Sequence, residues 1–185
     1  MQKQFLVGYI IAVFFVFLSI IKANYEFIAY AAATIVILGI IHYFNKKFSF
    51  NKWALWGFDI WMVLHILGGF STFKDKVLYN FIIIPLVGEP YFILKYDQAV
   101  HIYCYFIIAI LMWNVVTNIT DKKSYGIAAF ITVMAATGIG GINEIIEFAT
   151  TLFFETNVGG YENTALDIIS NLAGALLAIP FFKRL

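Results

Sequence analysis

Six mostly apolar stretches divide the chain: Phe5–Ile21, Phe27–Phe44, Trp53–Thr72, Asp97–Thr117, Tyr125–Thr150 and Thr164–Phe182. Each is close to the roughly 20 residues that a helix needs to cross a bilayer. Lys and Arg are absent from all six, and runs this long without basic charge exclude a soluble α/β or all-β domain. The pattern predicts an all-α integral membrane protein, a six-helix transmembrane bundle forming a single domain over residues 1–185. Two connections stand out. Phe73–Tyr96 holds the apolar run Phe81–Val87, interrupted by Pro85. It is too short to span, so an amphipathic interfacial segment or a short re-entrant hairpin is expected there. Leu152–Asn163 is polar and contains Gly159-Gly160.

Composition agrees with a membrane location. The chain is 62% hydrophobic and 12% charged, against about 25% charged in a soluble domain, and its mean hydropathy is +0.87. The net charge of +1 gives no reason to expect a nucleic-acid partner. Cys104 is the lone cysteine, which rules out an intrachain disulfide. The segment after Met1–Gln4 resembles a retained signal anchor, having no small-residue cleavage pattern. With the N-terminus inside, eight basic residues (Lys3, Lys46, Lys47, Lys52, Lys122, Lys123, Lys183, Arg184) face four outside (Lys22, Lys74, Lys76, Lys95). That asymmetry places both termini in the cytoplasm. The expected location is a multi-pass cell membrane, the prokaryotic cytoplasmic membrane foremost, with membrane lipids as partners and an oligomer compatible with six spans.

Acids inside such spans change the picture. Asp59, Asp97, Glu144, Glu147 and Asp167 lie within or at the edge of them, and His65 and His101 share the same stretches. A charged side chain at a bilayer centre costs about 2.5–3.5 kcal/mol on insertion scales, so intramembrane acids must face one another, water, a metal ion or protons. The predicted topology brings His65, Asp97, His101, Asn143, Glu144, Glu147, Asp167, Ser170 and Asn171, from four helices, to one level near the outer face. Asp97 and His101 are four residues apart, as are Asp167 and Asn171, and Glu144 and Glu147 are three apart, so each pair shares a helix face. Asp59 sits deeper. It is six residues from His65, about 120° around the helix.

Imidazole beside hard oxygen ligands suits a divalent metal of the Zn, Mn or Fe type. The candidate ligands are His65, Asp97, His101, Glu144, Glu147 and Asp167; Glu144, Glu147 and Asp167 are also candidate catalytic groups, and Asp59, Asn143 and Asn171 supporting polar ones. The excess of acid argues against haem. Gly138-Ile139-Gly140-Gly141 has no following Lys and no preceding strand, so no nucleotide is expected. Plainer roles compete with these. Asp97 can N-cap the fourth helix, Thr164 with Asp167 can form a capping box on the sixth, and Asp167 with Asn171 can join helices. The glycines at 138–141, 68–69 and 174 read as close-packing positions.

The run GINEIIEF (Gly141–Phe148) and the later YENTALDIISNLAGALLA (Tyr161–Ala178), with Asp167, Asn171 and Gly174, resemble the YjdF-like family of small multi-spanning membrane proteins. More distantly they resemble the end of VanZ-like proteins. The first resemblance implies a six-span fold without assigned chemistry; the second implies envelope lipids or glycans. Three functions remain open. The first is a metal-dependent membrane enzyme acting on a lipid-linked or polar-headgroup substrate at the outer face. The second is a proton- or cation-coupled transporter using the same acids. The third is a non-catalytic assembly protein.

Overall fold

The structure is a computed structural model that describes residues 2–89, 91–120, 124–154, 156 and 159–183. Among these residues, six helices are long and apolar enough to cross a membrane. They are α1 (Lys3–Ile21), α2 (Tyr25–Phe48), α3 (Lys52–Phe70), α4 (Tyr96–Ile119), α5 (Tyr125–Thr151) and α6 (Tyr161–Leu177), the last followed by a short turn of helix, α7 (Ile179–Phe182). Their outer surfaces are apolar, as in Ile10, Phe14 and Phe17 on α1 and Ile127, Phe130 and Ile145 on α5. A helix that is hydrophobic on its outer face as well as its inner one belongs in lipid. Of the basic residues weighed for orientation, Lys122, Lys123 and Arg184 lie outside the described residues, as do 155, 157 and 158 of the polar connection.

Local chemistry sets several boundaries. The side chain of Asn24 accepts from the Phe27 amide and starts α2, and that of Asn51 accepts from the Trp53 amide and starts α3, as favoured N-caps do. Two expected caps are not found. Lys95 occupies the N-cap position of α4, with Asp97 already in its first turn, and the Gln98 side chain accepts from the Lys95 amide. Helix α6 starts at Tyr161 after Gly160, so Thr164 lies inside it. Both acids are thereby free of a capping role.

The long third connection, expected as an interfacial segment or a short hairpin, forms two small antiparallel ladders. Strands β1 (Thr72–Phe73) and β2 (Lys76–Val77) pair antiparallel, as do β3 (Ile82–Val87) and β4 (Ile93–Lys95), with a short 3-10 turn, Leu78–Asn80, between the two ladders. Lys74 and Asp75, both at positive φ, make the first turn, the conformation that tight hairpins favour. The β-branched Ile82–Ile84 favours a strand, and Pro85 is tolerated because every strand of a two-stranded sheet is an edge.

The helices form two trios. Helices α4, α5 and α6 pack on one another, α1 packs on α2 and α3, and α3 joins the trios through α4. The closest approaches occur at glycines. A Cβ on Gly174 would lie 2.2 Å from the Ile102 carbonyl oxygen, so α4 and α6 touch backbone to backbone. Gly140 meets Asn171, Gly68 meets the Tyr79 ring, and Gly69 meets the Phe27 ring. Gly138 and Gly141 face open space, which corrects the reading of that whole run as a packing motif.

Candidate functional site

His101 is the centre of the polar group. It is buried on α4, one turn after Asp97. Its Nδ1 lies 2.8 Å from Asn171 Oδ1 on α6. A carbonyl oxygen only accepts, so Nδ1 carries a proton, and Nε2 is the nitrogen left to meet other partners. Nε2 points toward Asp97, whose Oδ1 lies 3.7 Å away. Glu144 on α5 brings Oε1 to 3.7 Å from Nδ1. These separations exceed a hydrogen bond. Two ligands sharing one tetrahedral ion at about 2.1 Å each stand about 3.4 Å apart, close to the first spacing.

Ligand atoms of Asp97, His101 and Asp167 all lie within 4.8 Å of one another, and so do those of His101, Glu144 and Glu147. These are two groups that could hold a metal ion. The first fits better. A ligating imidazole needs its other nitrogen fixed by a partner, and Asn171 fixes Nδ1 so that Nε2 is presented to the aspartates. The Asn163 amide reaches Oδ2 of Asp97 at 3.4 Å and also binds Oδ2 of Asp167, holding the two carboxylates side by side. Asp167 is fully buried, and its Oδ1 has no hydrogen-bond partner. Such an atom is costly unless a cation or a proton binds it, and among the described residues Glu144 Oε1 and Asp59 Oδ2 share this condition. Glu147 is held separately, its Oε1 accepting from Asn143 Nδ2 at 2.7 Å.

A cavity of about 250 Å³ opens beside this group. Asp97, His101, Asn143, Glu147 and Asn163 line it together with Phe27, Tyr30, Trp61, His65 and Tyr79. His65 therefore shares the cavity without joining either ligand group found among the described residues. Rings of Phe15, Phe27, Tyr30, Trp61 and Tyr79 surround it at 5.5–6.0 Å between centroids. The Tyr79 hydroxyl donates to the His65 carbonyl at 2.9 Å and contacts His65 Nδ1. That hydroxyl has one proton, already given to the carbonyl, so Nδ1–H donates to it. Burial holds the Tyr79 phenol well above its ordinary pKa, with Asp97 and Glu147 adding to the effect, and it stays a neutral donor. Asp59 is elsewhere. It is buried on α3 and faces α1, its Oδ1 2.8 Å from where a Gly8 Cβ would stand.

Three members were not singled out in the sequence. Glu26 is buried and lines the cavity from the first turn of α2, where an acid beside a span boundary looks like loop. Asn163 carries a readable signal, four residues before Asp167. Tyr79 carries none, since it reaches the site through the connecting sheets.

A model of predicted membrane proteins, DUF2238, matches residues 3–185. The chain belongs to the DUF2238 family. This is the YjdF-like family under another title, and its match spans both helix trios and the cavity between them. Compared with curated proteins and with solved structures, the chain finds no match.

Proposed function

We propose that this protein is a membrane-embedded, metal-dependent enzyme acting on a polar headgroup carried by a lipid. One observation carries the reading: His101 Nε2 is oriented by Asn171 toward Asp97, beside the orphaned Asp167 oxygen and on the wall of a cavity. A divalent ion held by Asp97, His101 and Asp167 would polarise a phosphoryl or ester oxygen, or lower the pKa of a bound water. Glu147 lines the cavity and is anchored by Asn143, which suits a general base. The cavity's size favours a headgroup over a glycan, since 250 Å³ falls below the roughly 300–1,000 Å³ of sites for drug-sized ligands.

Transport is the weaker reading. The helix faces that carry the acids continue about two and three turns away as Ile108 and Leu111 on α4 and as Ala136 and Val133 on α5, and one and two turns beyond Asn171 as Ala175 and Ala178 on α6, all buried and apolar. Thr132, Thr137 and Asn114 put polar atoms in that zone. A cation leaving the cluster in that direction would meet a packed core. The orientation that puts the cavity at the outer face belongs to the same proposal and rests on the basic-residue asymmetry.

The test is metal content together with lipid turnover. Purified protein should carry about one divalent ion, and after reconstitution with total polar lipid it should change the headgroup profile only when that ion is present. Metal-free protein that leaves every lipid unchanged after Zn or Mn addition would sink the proposal.

A further inference from the structure

The acid group leaves the aromatic lining residues, which also pack around His65, without a part in the proposed chemistry. Among the described lining residues, four are acidic (Glu26, Asp97, Glu147, Glu162) and one, Lys95, is basic. Most of the aromatic lining comes from outside the trio that carries the acids: Phe27 and Tyr30 come from α2 and Trp61 from α3, with Tyr79 and Tyr91 added by the connecting segment and Tyr105 by α4. Glu26 lies one helical turn before Tyr30 and is buried on the same face of α2. A hard metal ion takes oxygen or imidazole ligands and gains little from ring faces. An ammonium group is different: ring faces attract it, and a nearby carboxylate neutralises it. Carboxylate beside several aromatic walls is the chemistry of alkylammonium recognition. The cavity, at about 250 Å³, has room for one small headgroup.

We infer that Glu26, Tyr30 and Trp61 form a receptor for the ammonium end of a zwitterionic headgroup, whose anionic part faces Lys95 and the His101 group. This rests on the headgroup reading above and names its substrate class as an aminoalkyl or trimethylammonium phosphodiester. The two parts of the cavity then divide the substrate, the aromatic trio holding the cation and the acid trio holding the reacting phosphoester. A phosphatidylglycerol headgroup lacks the cation and is a poor fit.

The probe is choline chloride, titrated into the purified full chain in a non-ionic detergent and followed by tryptophan fluorescence and thermal melting. The control is 3,3-dimethylbutan-1-ol, which has choline's shape without its charge. Choline should bind saturably and at least about tenfold more tightly, the factor that about 1.4 kcal/mol carries. Glu26→Gln should erase that preference in protein that still melts cooperatively. If Glu26→Gln does not fold, the pair Trp61→Phe and Trp61→Leu decides, with the ring-keeping variant binding and the aliphatic one not. Equal binding of the neutral isostere, or choline binding indifferent to these changes, overturns the inference. His101→Ala separates it from the metal reading: it should lose the ion and keep choline, whereas Glu26→Gln should keep the ion and lose choline. The source of the ammonium is read by copurifying lipid from mixed nanodiscs. Enrichment of phosphatidylethanolamine or phosphatidylcholine over phosphatidylglycerol identifies a lipid, while choline binding without enrichment identifies a free amine.

Discussion

The bond between His101 Nδ1 and Asn171 Oδ1, at 2.8 Å, joins α4 to α6 at the level of the acids. It decides which imidazole nitrogen is available. Asn171→Leu keeps the approximate volume and removes the acceptor. Its expected effect is a loss of metal affinity of about 10–100-fold, the usual scale for a partner that orients a ligand, with the fold intact by circular dichroism. Unchanged zinc or manganese affinity in isothermal titration would show that Asn171 only joins helices.

Asp167 and Glu147 should separate by role. A saturating ion at a hundred times its dissociation constant adds about 2.7 kcal/mol to stability. Asp167→Asn should lose that increment. In chelator-treated protein the same change should be neutral or stabilising, because it removes one of several crowded and desolvated acids. Glu147→Gln should keep the metal increment and lose turnover. Thermal melts with and without chelator give both signs. A stabilising Asp167→Asn in both conditions would favour a protonated acid cluster without a metal.

Gly174 and Gly141 provide a packing contrast. A Cβ at Gly174 meets the Ile102 carbonyl at 2.2 Å, and one at Gly141 meets nothing within 4 Å. Gly174→Ala should therefore cost about 1–3 kcal/mol through forced separation of α4 and α6. Gly141→Ala should be neutral, or stabilising by about 0.5–1 kcal/mol through helix propensity. Melting temperatures in one detergent suffice, and equal effects at the two positions would contradict the backbone contact.

Much of this was legible in the chain. The six spans follow from long apolar runs, and each observed helix lies within a few residues of its expected place. Spacings of three and four placed Asp97 with His101, Glu144 with Glu147 and Asp167 with Asn171, and the structure brings all three pairs together around His101. What could not be read depends on rotation and on tertiary contact. Asp59 and His65 ride on one helix, yet one faces α1 and the other the cavity; periodicity gives their angular separation but not which neighbour each meets. The sheets at 72–95 were hidden because short strands with few inward positions carry no strong period. Glu26 was hidden because an acid just outside the apolar run Phe27–Phe44 reads as part of a loop.

Orientation has a direct check. Cys104 is buried, so surface labelling reports introduced cysteines. In intact cells, Gly160→Cys should react with an impermeant thiol reagent and Ser124→Cys should not, both positions being exposed. The opposite pattern would place the cavity on the cytoplasmic side and reassign the substrate leaflet.

The division of the bundle into two trios has a consequence for how such a protein can change. The ion-holding atoms proposed here all sit on α4 and α6, locked by the Gly174–Ile102 contact and the His101–Asn171 bond. The aromatic wall sits mainly on α2 and α3, joined to the other trio through α3 and α4. Substitutions in the first half of the chain can therefore alter which molecules are admitted while the reactive geometry stays as it is. One half is free to diversify, and the other half carries the inheritance.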